Sequence, residues 1–271
     1  MEKDTTGNGT VNVKVTYKDG KPVEEKRARD EDGKIEQVID YDAEGLPLKS
    51  RHDQDADGFF ETVRVYRKGE ISRQETDEDK NGKADTITEY ENSQPVLQKK
   101  DTTLSGTMDR ISKFKNGVLE EVLTDSDQDG FFETVSLFKN GKILSQTVDK
   151  DKDSRPDTRI SFNEKEEKEE VQIDSNLDGK TDQRQFYKCG DLVRIEADSN
   201  HDGTVDTKLF YAKGKKSQTV TDSDHDGFFE TKQIHDDPSW NLVTQQDVNR
   251  DGKPDIFLYF NGDGLKKKDR G

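Results

Sequence analysis

Cysteine is all but missing from this chain, and because Cys189 is the only one, no intramolecular disulfide can brace the fold. Its setting in Lys188-Cys189-Gly190 reads as an exposed turn. Tryptophan occurs once, proline six times, and hydrophobic residues make up only 27% of the sequence against 38% charged, which excludes a thick apolar core. No apolar run approaches the roughly 18 residues needed to span a bilayer, and no apolar leader follows Met1. The four histidines, at 52, 201, 225 and 235, sit in no Ser-His-Asp or zinc-like spacing, so no catalytic centre is expected. Basic excess is lacking too. The net charge of −16 disfavours polyanions such as nucleic acid or anionic lipid, whose recognition rests on basic patches, and makes cations the expected small partners.

What the chain has in abundance is one acidic, glycine-punctuated loop that returns every 24 or 25 residues, at Asp4, Ala28, Asp53, Asp77, Asp101, Asp125, Asp149, Asp174, Asp198, Asp222 and Asp247. Eleven repeats therefore fill residues 1–271, read as a single repeat domain. Counting each repeat from its first loop residue, position 14 is Tyr17, Tyr41, Tyr66, Tyr90, Phe114, Phe138, Phe162, Tyr187, Tyr211, His235 and Phe260. Turn dipeptides such as Asp19-Gly20, Asn116-Gly117 and Asn140-Gly141 follow, which supply positive φ for a tight hairpin. Positions 8 to 15 thus read as a strand, and 18 to 24 as its return. Segments such as Thr134-Val135-Ser136-Leu137-Phe138 have β-branched and aromatic content without helical periodicity.

A lone hairpin is marginal in water, so the eleven must stack. The predicted fold is all-β, about 22 short strands in an elongated, twisted antiparallel sheet or solenoid, with the position-14 aromatics as its main apolar seam; a β-propeller is the alternative.

In its best copies the loop reads Asp-x-Asp-x-Asp-Gly-x-x-(Asp/Glu)-Thr. Calcium takes six to eight oxygen ligands, which alternate carboxylates on a tight loop can supply together with one backbone carbonyl. At Asp125 the expected ligands are the side chains of Asp125, Asp127, Asp129 and Glu133 and the carbonyl of Phe131, with Gly130 making the sharp turn. The same set is Asp53, Asp55, Asp57, Phe59 and Glu61; then Asp77, Asp79, Asn81, Lys83 and Asp85; and Asp149, Asp151, Asp153, Arg155 and Asp157. Further along it is Asp174, Asn176, Asp178, Lys180 and Asp182, followed by Asp198, Asn200, Asp202, Thr204 and Asp206. The last two are Asp222, Asp224, Asp226, Phe228 and Glu230, and Asp247, Asn249, Asp251, Lys253 and Asp255.

These eight loops are complete, and eight dications would balance the net charge of −16. The other three are depleted: the first carries Thr6, Asn8 and Asn12, the second opens on Ala28, and the fifth has Thr103 and Ser105. Ser154 stands where glycine belongs and is expected to strain its loop. His201 and His225 fall at the variable position 4 and are expected to face solvent. Of the paired phenylalanines at 59–60, 131–132 and 228–229, the second is expected to pack inward and the first to be exposed.

The loop start resembles an EF-hand, but position 12 holds residues such as Arg64, Thr88 and Ser136 in place of the bidentate Glu. With an acid at position 9 and strands on both sides, the loops look more like the β-hairpin calcium loops of integrin-α and related bacterial repeat proteins. Thrombospondin type 3 loops are similar but carry disulfides. Hairpins with an aromatic before a glycine turn also resemble the MORN and YD-repeat arrays. These resemblances imply about eight calcium sites on a stacked-hairpin scaffold. The expected role is structural or adhesive, with a protein or glycan ligand, outside the cell or at a bacterial envelope, where calcium is plentiful. A calcium-loop propeller binding a ligand and a calcium buffer or sensor are the alternatives.

Overall fold

The computed structural model describes residues 1–7, 9–28, 33–235, 240–262 and 264–270. Asn8 and most of the loop that opens at Ala28 lie outside the described residues. Two compact units divide the chain, Met1–Gly141 and Lys142–Gly271. Every regular element among the described residues is a β-strand.

The first unit holds twelve strands, from Glu2–Lys3 to Thr134–Lys139, and the second eleven, from Lys142–Val148 to Gly264–Arg270. Within each unit every strand pairs antiparallel with the next in sequence. In the third and fourth repeats, for example, Thr62–Arg67 pairs with Glu70–Thr76, which pairs with Thr86–Glu91. Ladders within and between hairpins alternate without a break that would separate blades, so each unit is an open meander rather than a propeller. The short strand Glu2–Lys3, which pairs with Val13 and Lys14, has no counterpart in the repeat pattern.

Hairpin turns follow the sequence signal. Asp19-Gly20, Lys68-Gly69, Asn116-Gly117 and Lys213-Gly214 all take positive φ at both residues, with φ of 50–53° at the first and 74–81° at the second, the backbone of a type I′ turn. Cys189 has φ 52° in the same setting and is exposed. In the 25-residue repeats that open at Ala28 and Asp149 the extra residue goes into the hairpin turn: Asp42 and Leu46, like Asn163 and Glu167, close a longer loop in which the first side chain caps the amides beyond it.

Return strands run over positions 18 to 24 as expected, but the first strand starts at position 10 and not at 8, as in Thr62–Arg67 and Thr134–Lys139. Positions 8 and 9 belong to the loop because the acid at position 9 turns back on it. The extended backbone nonetheless continues in register. Within each unit the amide of a first loop Asp donates to the position-9 carbonyl of the loop before it, as in Asp77 to Glu61 at 2.8 Å, Asp101 to Asp85 at 2.8 Å and Asp198 to Asp182 at 2.7 Å. In an antiparallel meander the loops of a unit emerge on one edge of its sheet, and these bonds fix neighbouring loops within the unit against each other.

Burial overturns the expected seam. The position-14 aromatics are half-buried, and Tyr17 is 47% exposed. Only Val15, Ala28, Val38, Val122, Val171 and Val243 are buried apolar residues among those described. The buried polar group is far larger and is dominated by loop aspartates, with a row of small residues, Ser50, Thr88, Ser112 and Ser136, crossing the middle of the first unit. A one-layer sheet gives an aromatic only one wall to lie against, so it stays partly wet. Its polar tip is used instead: Tyr41 Oη donates to Glu25 at 2.8 Å, and Tyr66 Oη lies 3.1 Å from Ser50 Oγ, each reaching back to the preceding hairpin. Burial first and then the Glu25 hydrogen bond push the Tyr41 phenol up to about 12.

Candidate metal centre

The loop is built by its own carboxylates. The first Asp accepts the amide of position 6 on Oδ2: Gly58 to Asp53 at 2.8 Å, Gly82 to Asp77 at 2.8 Å, Gly130 to Asp125 at 2.8 Å, Gly179 to Asp174 at 2.7 Å and Gly252 to Asp247 at 2.8 Å. The acid at position 9 accepts the amide of position 2, as in Gln54 to Glu61 at 2.8 Å, Lys150 to Asp157 at 2.6 Å and Ser223 to Glu230 at 2.8 Å. Position 5 accepts the amide of position 7, the residue expected to offer its carbonyl: Phe59, Lys83, Phe131, Arg155, Lys180, Thr204, Phe228 and Lys253 all donate this way. The glycine at position 6 is required by its φ, 94° at Gly130 and 99° at Gly58. Ser154 adopts φ 72° in that place, the strain expected for it.

This wiring does not need the full acid set. In the depleted fifth loop Asp101 is 1% exposed and accepts the amides of Gly106 at 2.6 Å, Ser105 at 3.2 Å and Thr103 at 3.2 Å. Burial works against its ionised form, yet the Gly106, Ser105 and Thr103 amides outweigh it and hold the carboxyl below the ordinary value. Asp4 caps Gly9 at 2.7 Å in the first loop, where Asn12 replaces the acid and still accepts the amide of Thr5. Acids at positions 1 and 9 are therefore loop builders, and those at 3 and 5 are what distinguish the candidate sites.

Five loops gather carboxylate oxygens within 4.8 Å of one another: Asp53, Asp55, Asp57 and Glu61; Asp77, Asp79 and Asp85; Asp125, Asp127 and Glu133; Asp149, Asp151 and Asp157; Asp222, Asp224 and Glu230. Of the eight loops with a complete pattern, these are the ones with Asp at position 3. The loops at Asp174, Asp198 and Asp247 have Asn176, Asn200 and Asn249 there, and two of those amides face carboxylates as donors, Asn200 to Asp202 at 2.9 Å and Asn249 to Asp255 at 3.1 Å. Position 5 joins the shared oxygens only at Asp57. Asp153 is instead held by Arg155 at 2.7 Å and Asp226 by Arg250.

The first cluster fits a small, hard cation best. Asp53 is 1% exposed, and its Oδ1 is a buried oxygen with no hydrogen-bond partner, while its Oδ2 is spent on Gly58. A buried carboxylate oxygen left unpaired is costly unless a cation supplies the missing interaction. At Asp151 the Asp153 amide favours ionisation, but burial and the charges of Asp153 and Asp157 prevail and raise the carboxyl above its ordinary value, as expected where like charges crowd.

Position 4 makes contacts that were not expected. It has positive φ in every described loop, with 61° at Lys80, 61° at His201 and 64° at Arg250. Four of its side chains reach the preceding loop while staying part-exposed, and His201 and His225 are exposed as expected. Lys80 Nζ lies 2.7 Å from Asp55, 2.5 Å from Asp57 and 3.0 Å from Glu61. Arg250 pairs with Asp224 at 2.8 Å and with Asp226. His201 Nδ1 is 3.0 Å from Asp182, and His225 Nδ1 is 3.9 Å from Asp206. The Lys80 hydrogen bond is the main cause that lowers both Asp55 and Asp57, and the bond to Asp55 leads those that raise Lys80. The signal was in the sequence: Lys80, Lys152, His201, His225 and Arg250 make position 4 conspicuously basic in an acidic chain. The paired phenylalanines are half-buried at both places, with Lys208 Nζ 4.1 Å from the Phe229 ring and Arg250 6.0 Å from that of Phe228.

No protein-family model and no curated relative matches the sequence. Among solved structures, accessory secretory protein 1, 2 and 3 of Streptococcus pneumoniae is similar over 42% of this chain at 17% identity with a TM-score of 0.20. The TcdB2-TccC3 structure is similar over 96% at 10% identity with a TM-score of 0.23. The chain spans about a fifth of the length of these proteins, 19% and 18%. No helix among the described residues is long and apolar enough to cross a membrane.

Proposed function

We propose that this is a calcium-binding hairpin-repeat protein in which metal pins the loops along one sheet edge. The observation that carries the reading is the cluster of Asp53, Asp55, Asp57 and Glu61 with its buried, unpartnered Asp53 oxygen. Four further clusters repeat the arrangement. An all-oxygen donor set of carboxylates and exposed backbone suits calcium rather than zinc or copper, which draw on His and Cys. The Asn-containing loops at Asp174, Asp198 and Asp247 complete the eight proposed sites as weaker members.

Metal there reinforces hairpins that have little apolar core, so the role is a structural scaffold presenting its sheet face to a protein or glycan, and not an enzyme. Low-millimolar calcium outside cells fills such loops, which places the proposed site of action outside the cell or at the envelope. Calorimetric titration of the full chain with calcium counts the sites. About eight sites of submillimolar affinity, with a melting temperature that falls in chelator, are expected; micromolar affinity throughout would favour a buffer or sensor. No heat of binding and identical melting with and without chelator would refute the reading.

A further inference from the structure

We propose that a basic side chain at position 4 of the following repeat is a tethered counter-cation that competes with metal for the acid cluster before it, so that the sequence grades site affinity from loop to loop. This rests on the calcium reading and adds its regulation. Lys80 is the clearest case. Its ammonium lies within 3.0 Å of three carboxylates, Asp55, Asp57 and Glu61, among the oxygens that lie within 4.8 Å of one another. The ammonium stands where a divalent ion would have to stand to reach the same three groups.

It is an incomplete substitute. One charge meets four carboxylates, and the buried Asp53 Oδ1 remains without a partner. A divalent ion in that seat supplies a second charge and can engage all four, but it must first expel Lys80. Arg250 repeats the device independently, pairing with Asp224 and Asp226 of the loop before it. Where position 4 of the following repeat is apolar no cation enters the seat from it: Leu104 follows the Asp77 loop.

The device has a consequence at low calcium. A loop with its own ammonium keeps its carboxylates apart and the hairpin junction intact, whereas an uncontested loop depends on metal for the same relief. Contested loops are thus expected to bind late and hold shape early, and uncontested loops the reverse.

The test reads each loop separately in the full chain. The amides of Gly58 and Gly82 donate to Asp53 and Asp77, so in glycine-labelled protein their resonances report the two sites during one calcium titration. Gly82 is expected to shift at about tenfold lower calcium than Gly58, the scale of losing several part-exposed ion pairs. Lys80→Leu is expected to bring the Gly58 midpoint down to that of Gly82. Leu104→Lys is expected to raise the Gly82 midpoint by a similar factor, and it keeps the test decisive if Lys80→Leu fails to fold. If Gly82 titrates but neither substitution moves its site, the competition is refuted and calcium binding stands. If no loop glycine shifts in any of the three proteins, both fall.

Discussion

Replacing Asp101 by alanine separates the two roles that the loop acids combine. Asp101 is 1% exposed and accepts amides from Gly106 at 2.6 Å, Ser105 at 3.2 Å and Thr103 at 3.2 Å, in a loop that has Thr103 and Ser105 where a metal would need acids. Its removal frees three amides that solvent can then reach, so each lost bond costs about 1 kcal/mol, and the total is about 3 kcal/mol. Because no metal is assigned there, the same loss is expected in chelator and in calcium. Asp125→Ala is the companion. It loses the Gly130 amide at 2.8 Å and the weaker Asp129 amide at 3.3 Å, about 2 kcal/mol in chelator. In about 1 mM calcium it loses in addition what its site contributes, about 1.4 kcal/mol for a dissociation constant of about 0.1 mM. Urea unfolding of the full chain followed by circular dichroism, in chelator and in calcium, measures all four values. An Asp101→Ala penalty that changes with calcium as much as that of Asp125→Ala would refute the division of labour, and a negligible penalty in chelator would refute the capping account itself.

Two other outcomes follow from local geometry. Ser154→Gly removes a side chain from φ 72° and is expected to stabilise the loop at Asp149 by about 0.5–1 kcal/mol, read as a higher urea midpoint. Asp182 should titrate at about 2: burial raises it, but hydrogen bonds from Ser175 and His201 outweigh burial and bring it below 3.8. Since the folded value is the depressed one, its contribution is present above about pH 4 and is lost as the pH falls through about 2. Carboxyl NMR in chelator measures the midpoint, and Ser175→Ala is expected to move it upward.

Much of this structure is legible in the sequence because it is periodic and local. Asn116-Gly117 specifies its own turn, and the return strands begin where the turn dipeptides place them. The limit of the first strand is less visible, because Glu61 and its equivalents read as strand residues yet fold back to cap the amide of position 2. Aromatic periodicity gives the face but not the burial: a single layer cannot enclose Tyr17, however regular its spacing. Position 4 is the largest gap. A residue preceding Asn81 or Asp202 in a polar loop looks solvent-facing, and its true neighbour lies about one repeat back in sequence, brought close by the register of successive loops. Local pattern carries no information on that register, although the basic bias at the position is a trace of it.

Together these features explain how so acidic and so thinly cored a chain holds an ordered sheet. Within each unit the junctions from Asp53 onward tie a buried Asp to the amides of its own loop, and most tie it through its backbone to the loop before, so the polar edge does what an apolar core does in thicker folds. Charge is the cost, and the chain meets it in two ways, with a basic side chain from the next repeat where one is available and, on the reading proposed here, with calcium where it is not. Stability that depends on nearest neighbours is characteristic of repeat arrays. Here the neighbour's contribution is electrostatic as well as steric, and a substitution at position 4 of one repeat is therefore felt at the loop before it rather than at its own.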